Sequence, residues 1–272
     1  GSRRWLRIGI TVQPSEFAKI AIVVWTAGMA VKKASQFRSL RRGLAPFLVA
    51  WALLVLPIAL EPDFSTALLI GLLGLIIIFS AGARISHFVF LGLVLAPIVY
   101  WQLVGEGFRV KRLLAWADPA SDPAGAGFQA YQSLLALGSG GLTGVGIGQG
   151  RQRFGFLPEA HNDFIFSMIG EQWGLIGVLV LLMMYVALVL VGFRIASRAP
   201  DLFGELLALG FTSLIALQAL LHMAVGLSLL PTTGLALPLI SYGRSNLIVT
   251  LASLGILMSV ARMAPGIKAA RA

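Results

Sequence analysis

The 272-residue chain contains no cysteine. That excludes disulfide frameworks, cysteine-based zinc sites and thiol nucleophiles, and it carries no information on compartment. Charge is scarce as well: Asp, Glu, Lys and Arg make up 12% of the residues, against roughly 25% in a soluble domain. A soluble globular domain is therefore excluded. Acidic residues are the scarcest class, 11 against 21 basic, for a net charge of +10. The bases sit between apolar runs, so membrane topology accounts for them and no nucleic-acid partner is expected. Disorder is excluded by a hydrophobic content of 58%, far above what a chain without a packed core carries. An initiator Met and a secretory signal pattern are also missing. The opening Gly1-Ser-Arg-Arg-Trp5 reads like a loop in mid-protein, and a fragment lacking its N-terminal part is expected.

What the chain has in excess is apolar length. Its mean hydropathy is +0.89, and apolar runs fall near 14–31, 44–60, 64–82, 86–103, 163–193, 203–226 and 246–262. Each approaches the ~20 residues that a membrane helix needs. The expected fold class is an all-α integral membrane protein, a polytopic helix bundle of about seven transmembrane helices. It would form a single membrane domain over 1–272, with a large extracytoplasmic loop at 104–162. The short loops set the orientation. Lys32, Lys33, Arg38, Arg41 and Arg42 fill the first, Glu61 and Asp63 the second, Arg84 the third, and Arg194 and Arg198 the loop after the fifth span. The positive-inside rule places 32–43, 82–86, 194–202 and the tail in the cytoplasm. Residues 104–162 then lie outside, with Arg3, Arg4 and Arg7 as an exception to the rule. The apolar stretch Tyr131–Leu137 predicts order within the long loop.

Four stretches could carry chemistry. The first is Phe156-Leu-Pro-Glu-Ala-His-Asn-Asp-Phe-Ile-Phe166, which places Glu159, His161 and Asp163 together where a membrane helix begins. A carboxylate against apolar surroundings suits general-base work; on chemistry alone, Asn162 or Asp163 as the helix cap is the more common use of such residues. The second is Gln13-Pro-Ser-Glu-Phe-Ala-Lys19. Glu16 fits the charge preference of a helix N-terminus. Ser15, Lys19 and Thr26 share one helical stripe. A lysine within a span reads either as functional or as snorkelling to the interface. The third is the run 138–150, with seven glycines, either a set of turns or a backbone cradle for phosphate. Arg109, Lys111, Arg112, Arg151 and Arg153 flank it and favour a nearby anion. The fourth is 230–246, where prolines and glycines interrupt an apolar stretch. Such a break near the membrane needs protein or a wet cavity to satisfy its backbone. Asp63 with Thr66 reads as a helix cap.

Gln13-Pro-Ser-Glu16 with Lys19, Pro62-Asp63, Tyr131-Gln132 before the glycine run, Pro158-Glu-Ala-His-Asn-Asp163 and Leu237-Pro-Leu-Ile-Ser-Tyr-Gly243 occur in this order. The ordered set resembles the SEDS family (shape, elongation, division and sporulation), which comprises the FtsW and RodA proteins. Pro-Glu-Ala-His, and Asp118-Pro with Asp122-Pro, resemble the FtsW branch more than the RodA branch. The resemblance implies a ten-helix protein with both ends cytoplasmic, of which this chain would hold the last seven helices. It implies a peptidoglycan glycosyltransferase that polymerises lipid II, partnered by a class B penicillin-binding protein in the bacterial cytoplasmic membrane. Asp163 matches the family's essential acid, the catalytic candidate, and Lys19 its basic residue. Glu16, Lys19, Arg112, Gln132, Glu159, His161 and Ser241 are the substrate-binding candidates. No residue is assigned to a metal, although Mg²⁺ or Mn²⁺ would suit a departing pyrophosphate. The sequence departs from the family pattern at Thr11 and Val12, where a base is common, and at Arg244, where a glycine is common. A lipid-linked precursor flippase and a non-catalytic scaffold are the competing readings.

Overall fold

Every apolar run of the sequence is a helix. The computed structural model describes residues 5–8, 10–37, 39–61, 63–104, 107–150 and 161–264. An antiparallel hairpin of β1 (Leu6–Ile8) and β2 (Ile10–Val12), with Leu6 opposite Val12, leads in. The helices follow: α1 (Pro14–Lys33), α2 (Ala45–Leu60), α3 (Phe64–Ser80), α4 (Ile85–Val104), α5 (Gly107–Ala117), α6 (Phe128–Gly140), α7 (Ile165–Ala196), α8 (Leu202–Gly226) and α9 (Arg244–Met263). Seven match the predicted runs to within three residues at each end. By length and composition, five stretches can cross a membrane; α3 and the Ile85–Val94 part of α4 are apolar but shorter. The protein is a multi-pass, all-α membrane protein with one small hairpin. Sequence reading did not foresee that hairpin, or that the 104–162 segment would carry the helices α5 and α6.

Local chemistry sets the boundaries. Pro14 stands in the first turn of α1, where a missing N–H costs nothing, and Lys32 and Lys33 occupy the last turn, facing the negative end of the helix dipole. Asp63 caps α3, its Oδ1 accepting from the Thr66 N–H at 3.3 Å. That agrees with the cap read from the sequence.

The chain divides into two compact units. The first comprises Gly1–Leu91, Ala187–Leu217 and Arg244–Ala272. In it α1 packs on α3 and α9, and α2 packs on α3. Ile22, Val23, Phe47, Ile70, Leu73 and Phe211 form part of its buried core. The second comprises Gly92–Val186 and Gln218–Gly243. Phe164, Met168 and Val225 form an apolar cluster there, with Ile165 and Leu230 against it. Beside this cluster, Ser133 of α6 joins the Ser167 hydroxyl at 2.6 Å and donates to the Gly226 carbonyl at 2.7 Å.

Candidate functional site: Asp163 and the unwound segment 227–243

α8 ends in a Schellman turn. Ser228 takes the left-handed position (φ 56°), its N–H bonds to Val225 O, and the Leu229 N–H bonds back to Ala224 O at 2.8 Å. The chain then runs without helix to α9. Non-helical backbone beside membrane spans must find partners for its carbonyls, and here side chains supply them. Trp116 Nε1 donates to Ser228 O at 2.9 Å, and Arg112 Nη1 donates to Thr232 O at 3.1 Å. His222 Nδ1 lies 2.7 Å from Leu235 O, and Gln218 Nε2 donates to Ala236 O at 2.8 Å. The Tyr185 hydroxyl donates to Pro238 O. A carbonyl only accepts, so the His222 proton facing Leu235 sits on Nδ1. The sequence reading did not name Trp116, Tyr185, Gln218 or His222. The spacing of Gln218 and His222, four apart in an apolar span, was the available signal, because it puts both on one helix face.

This segment meets the turn that precedes α7. Ser241 is buried, its hydroxyl donating to Asn162 O at 2.7 Å and accepting from the Leu237 N–H at 2.7 Å. The Tyr242 N–H donates to His161 O at 3.2 Å. Asp163 is half-buried. A Cβ added to Gly234 would stand 3.8 Å from Asp163 Oδ2, so the unwound segment passes directly alongside the carboxylate. His161 itself is exposed. Asn162 Oδ1 is buried without a hydrogen-bond partner, so Asn162 does not cap α7. Arg244 occupies the first position of α9 and is exposed; a helical residue there needs no glycine, which accounts for the departure at that place.

The glycine-rich run has a structural task. α7 is broken at Gly174 (φ 65°, ψ −163°), a conformation open mainly to glycine. The groups freed by the break bond to the run. Val145 N–H donates to Glu171 O at 3.0 Å and Gly146 N–H to Gln172 O at 3.1 Å, while Leu175 and Ile176 donate to Gly141 O and Leu142 O. Gly148 N–H donates to Gln172 Oε1 at 3.1 Å. A Cβ on Gly144 would collide with the Gln172 carbonyl. The N–H groups of Val145, Gly146 and Gly148 are spent on α7, so at these positions the run serves as turns and backbone docking.

In the first unit Lys19 is completely buried and pairs with Glu16 Oε1 at 2.6 Å. Glu16 is therefore the counter-ion of Lys19 as well as a first-turn acid, and Lys19 does not snorkel. Ser15 and Thr26 on the same stripe are buried too, and Thr26 Oγ1 accepts from Trp51 Nε1 at 3.0 Å.

Of the remaining candidates, Arg112 is held on Thr232, and Gln132 is half-buried on α6. Glu159 lies outside the described residues, as do Arg151 and Arg153. Among the described residues no group of three or more His, Asp or Glu could hold a metal ion. The described structure thus gathers Asp163, His161, Ser241 and Arg112 around the unwound segment, and pairs Lys19 with Glu16.

Known proteins match this chain almost throughout. Residues 1–265 fit the family model of FtsW, RodA and SpoVE, described as a cell cycle protein. A probable peptidoglycan glycosyltransferase FtsW of Geobacter sulfurreducens is 43% identical, over 98% of this chain and 72% of its own. The stage V sporulation protein E of Bacillus subtilis is 41% identical, over 96% and 72%. A chain from a structure on the coordination of polymerization and crosslinking by a peptidoglycan synthase complex superposes with TM-score 0.75 at 30% identity, over 96% of this chain and 74% of that one. The crystal structure of the rod shape determining protein RodA of Thermus thermophilus gives 0.62 at 29%, over 97% and 71%. The chain belongs to the FtsW, RodA and SpoVE family of cell cycle proteins, the SEDS family.

Proposed function

We propose that this chain is a peptidoglycan glycosyltransferase that polymerises lipid II into glycan strands during cell division. It works at the outer face of the bacterial cytoplasmic membrane, with a class B penicillin-binding protein as partner. The observation that carries the reading is the position of Asp163: a half-buried carboxylate at the mouth of α7, with the backbone of Gly234 beside it. The reaction class rests on the relatives named peptidoglycan glycosyltransferase at 40–43% identity. The outward orientation rests on the distribution of bases between spans.

The acceptor GlcNAc 4-hydroxyl attacks the anomeric carbon of the donor MurNAc. The new C–O bond forms as the bond to undecaprenyl pyrophosphate breaks, and the hydroxyl proton passes to Asp163. An alcohol is a weak nucleophile, and a positioned base is worth about 10²–10⁴-fold. Ser241 holds the Asn162 carbonyl and so fixes the turn that carries Asp163. Gln132, Glu159, His161 and Arg112 are assigned to the substrate, and Lys19, balanced by Glu16, likewise. Mg²⁺ or Mn²⁺, if bound with the substrate, would offset the charge of the departing pyrophosphate.

Asp163→Asn keeps the shape and removes the base. Polymer formation from lipid II, with the cognate partner in detergent, is expected to fall by about 10²–10⁴-fold while the melting temperature holds. Retained turnover would take Asp163 out of this role. The broken segment 227–243 favours a flippase as a second reading. Detergent has no membrane sides, so polymer made there argues for the transferase; lipid moved across vesicles without polymer argues for the flippase.

A further inference from the structure

We infer that Gly234 is a specificity-determining residue: its missing side chain keeps the Asp163 carboxylate open and sets the size of the group admitted beside it. The inference rests on the reading of Asp163 as the base, and a labelling readout separates the two.

Neither the backbone nor packing requires glycine at this position. Gly234 is the apex of a γ-turn, with the Leu235 N–H donating to Thr233 O at 3.1 Å. Its φ is not positive, so the turn is of the inverse kind, which residues with side chains adopt readily. Among the described residues, an added Cβ would meet a single atom within 4 Å, Asp163 Oδ2 at 3.8 Å, an ordinary van der Waals contact. Other glycines of the same unit differ. A Cβ on Gly140 would collide with the Gly170 carbonyl and one on Gly144 with the Gln172 carbonyl, so those two are needed for close backbone approach. Gly234 is exposed, between half-buried Thr233 and buried Leu235. What the glycine preserves is the space next to the carboxylate.

Both edges of that space are fixed by the unwound segment. On the glycine side, Arg112 holds Thr232 O, His222 holds Leu235 O at 2.7 Å and Gln218 holds Ala236 O at 2.8 Å. On the acid side, the Ser241 hydroxyl holds Asn162 O and the Tyr242 N–H holds His161 O, the two carbonyls that precede Asp163. The gap is therefore set by anchored backbone on either side.

Its dimensions suit a sugar hydroxyl. An oxygen giving its proton to Oδ2 must stand about 2.5–3.0 Å from it. A methyl group at 3.8 Å stays outside that shell. An atom one bond further, about 1.5 Å for carbon, can enter it and displace the incoming hydroxyl.

The chain has no cysteine, so Gly234→Cys supplies a single thiol that can be enlarged after folding. The full chain with its cognate partner in detergent is treated with methyl or benzyl methanethiosulfonate and then with reductant, beside wild type and Gly234→Ala. Two quantities are read: polymer made from lipid II, and labelling of Asp163 by a water-soluble carbodiimide with glycinamide, scored by peptide mass spectrometry against the exposed Asp118. Gly234→Ala should stay within about 3-fold of wild type in both. The benzyl adduct should lower both by about 10–100-fold, the methyl adduct by less. Reductant should restore both, which a misfolded variant would not allow. Asp163 labelling that survives the benzyl adduct overturns the inference, whatever becomes of the polymer. Labelling lost with polymer retained leaves the opening in place and instead overturns Asp163 as the base.

Discussion

Two regions of the molecule bury polar groups by opposite means. In α1 a lysine and a glutamate sit three residues apart and neutralise one another within a single turn. In the segment 227–243 the backbone itself is unsatisfied, and its carbonyls are met by side chains 13 to 120 residues away in sequence. The first solution is local and ionic. The second is long-range and made of single hydrogen bonds. The first concentrates its cost in one pair, whereas the second spreads it over several contacts, each worth little alone.

That difference sets the order of expected effects. Lys19→Met leaves a buried, uncompensated carboxylate, and a loss of about 3–5 kcal/mol is expected. The double variant Lys19→Met/Glu16→Gln should recover most of it, since removing both charges removes the need for pairing. Chemical denaturation in detergent measures both, and a double variant as unstable as the single one would break the idea that the two charges balance one another. Next in size is His222→Phe, which strands the Leu235 carbonyl at a cost of about 1–3 kcal/mol. His222→Asn, whose amide reaches the place of Nδ1, should restore it; failure of that rescue would mean the ring is needed for its bulk. The smallest effect runs the other way. Ser228 holds a left-handed conformation and its buried hydroxyl has no hydrogen-bond partner. Ser228→Gly should therefore stabilise by about 1 kcal/mol, and a rise in melting temperature would register it.

The same contrast explains what could be read from the sequence. Helix positions were legible because apolar length is a local property. The stripe of Ser15, Lys19 and Thr26 was legible because helical spacing is local too; all three are buried. The interruption at 230–246 could be seen, but not the side chains that satisfy it, because Trp116, Tyr185, Gln218 and His222 come from three other helices. The hairpin β1–β2 lies next to α1 in the chain, yet its three-residue strands are too short to leave a pattern. The position of Asp163 could be read from its motif. Its neighbour Gly234, 71 residues downstream, could not.

The break at Gly174 also resolves an arithmetic difficulty. As one straight rod, α7 with its 32 residues would be about 48 Å long, well beyond a hydrocarbon layer of about 30 Å. Cut at Gly174, it becomes a stub of about 14 Å and a rod of about 33 Å. Only the rod has to match the bilayer. The stub, which starts next to Asp163, is free to take its bearing from the glycine run to which it is spliced, so the thickness of the lipid and the aim of the carboxylate can be set separately.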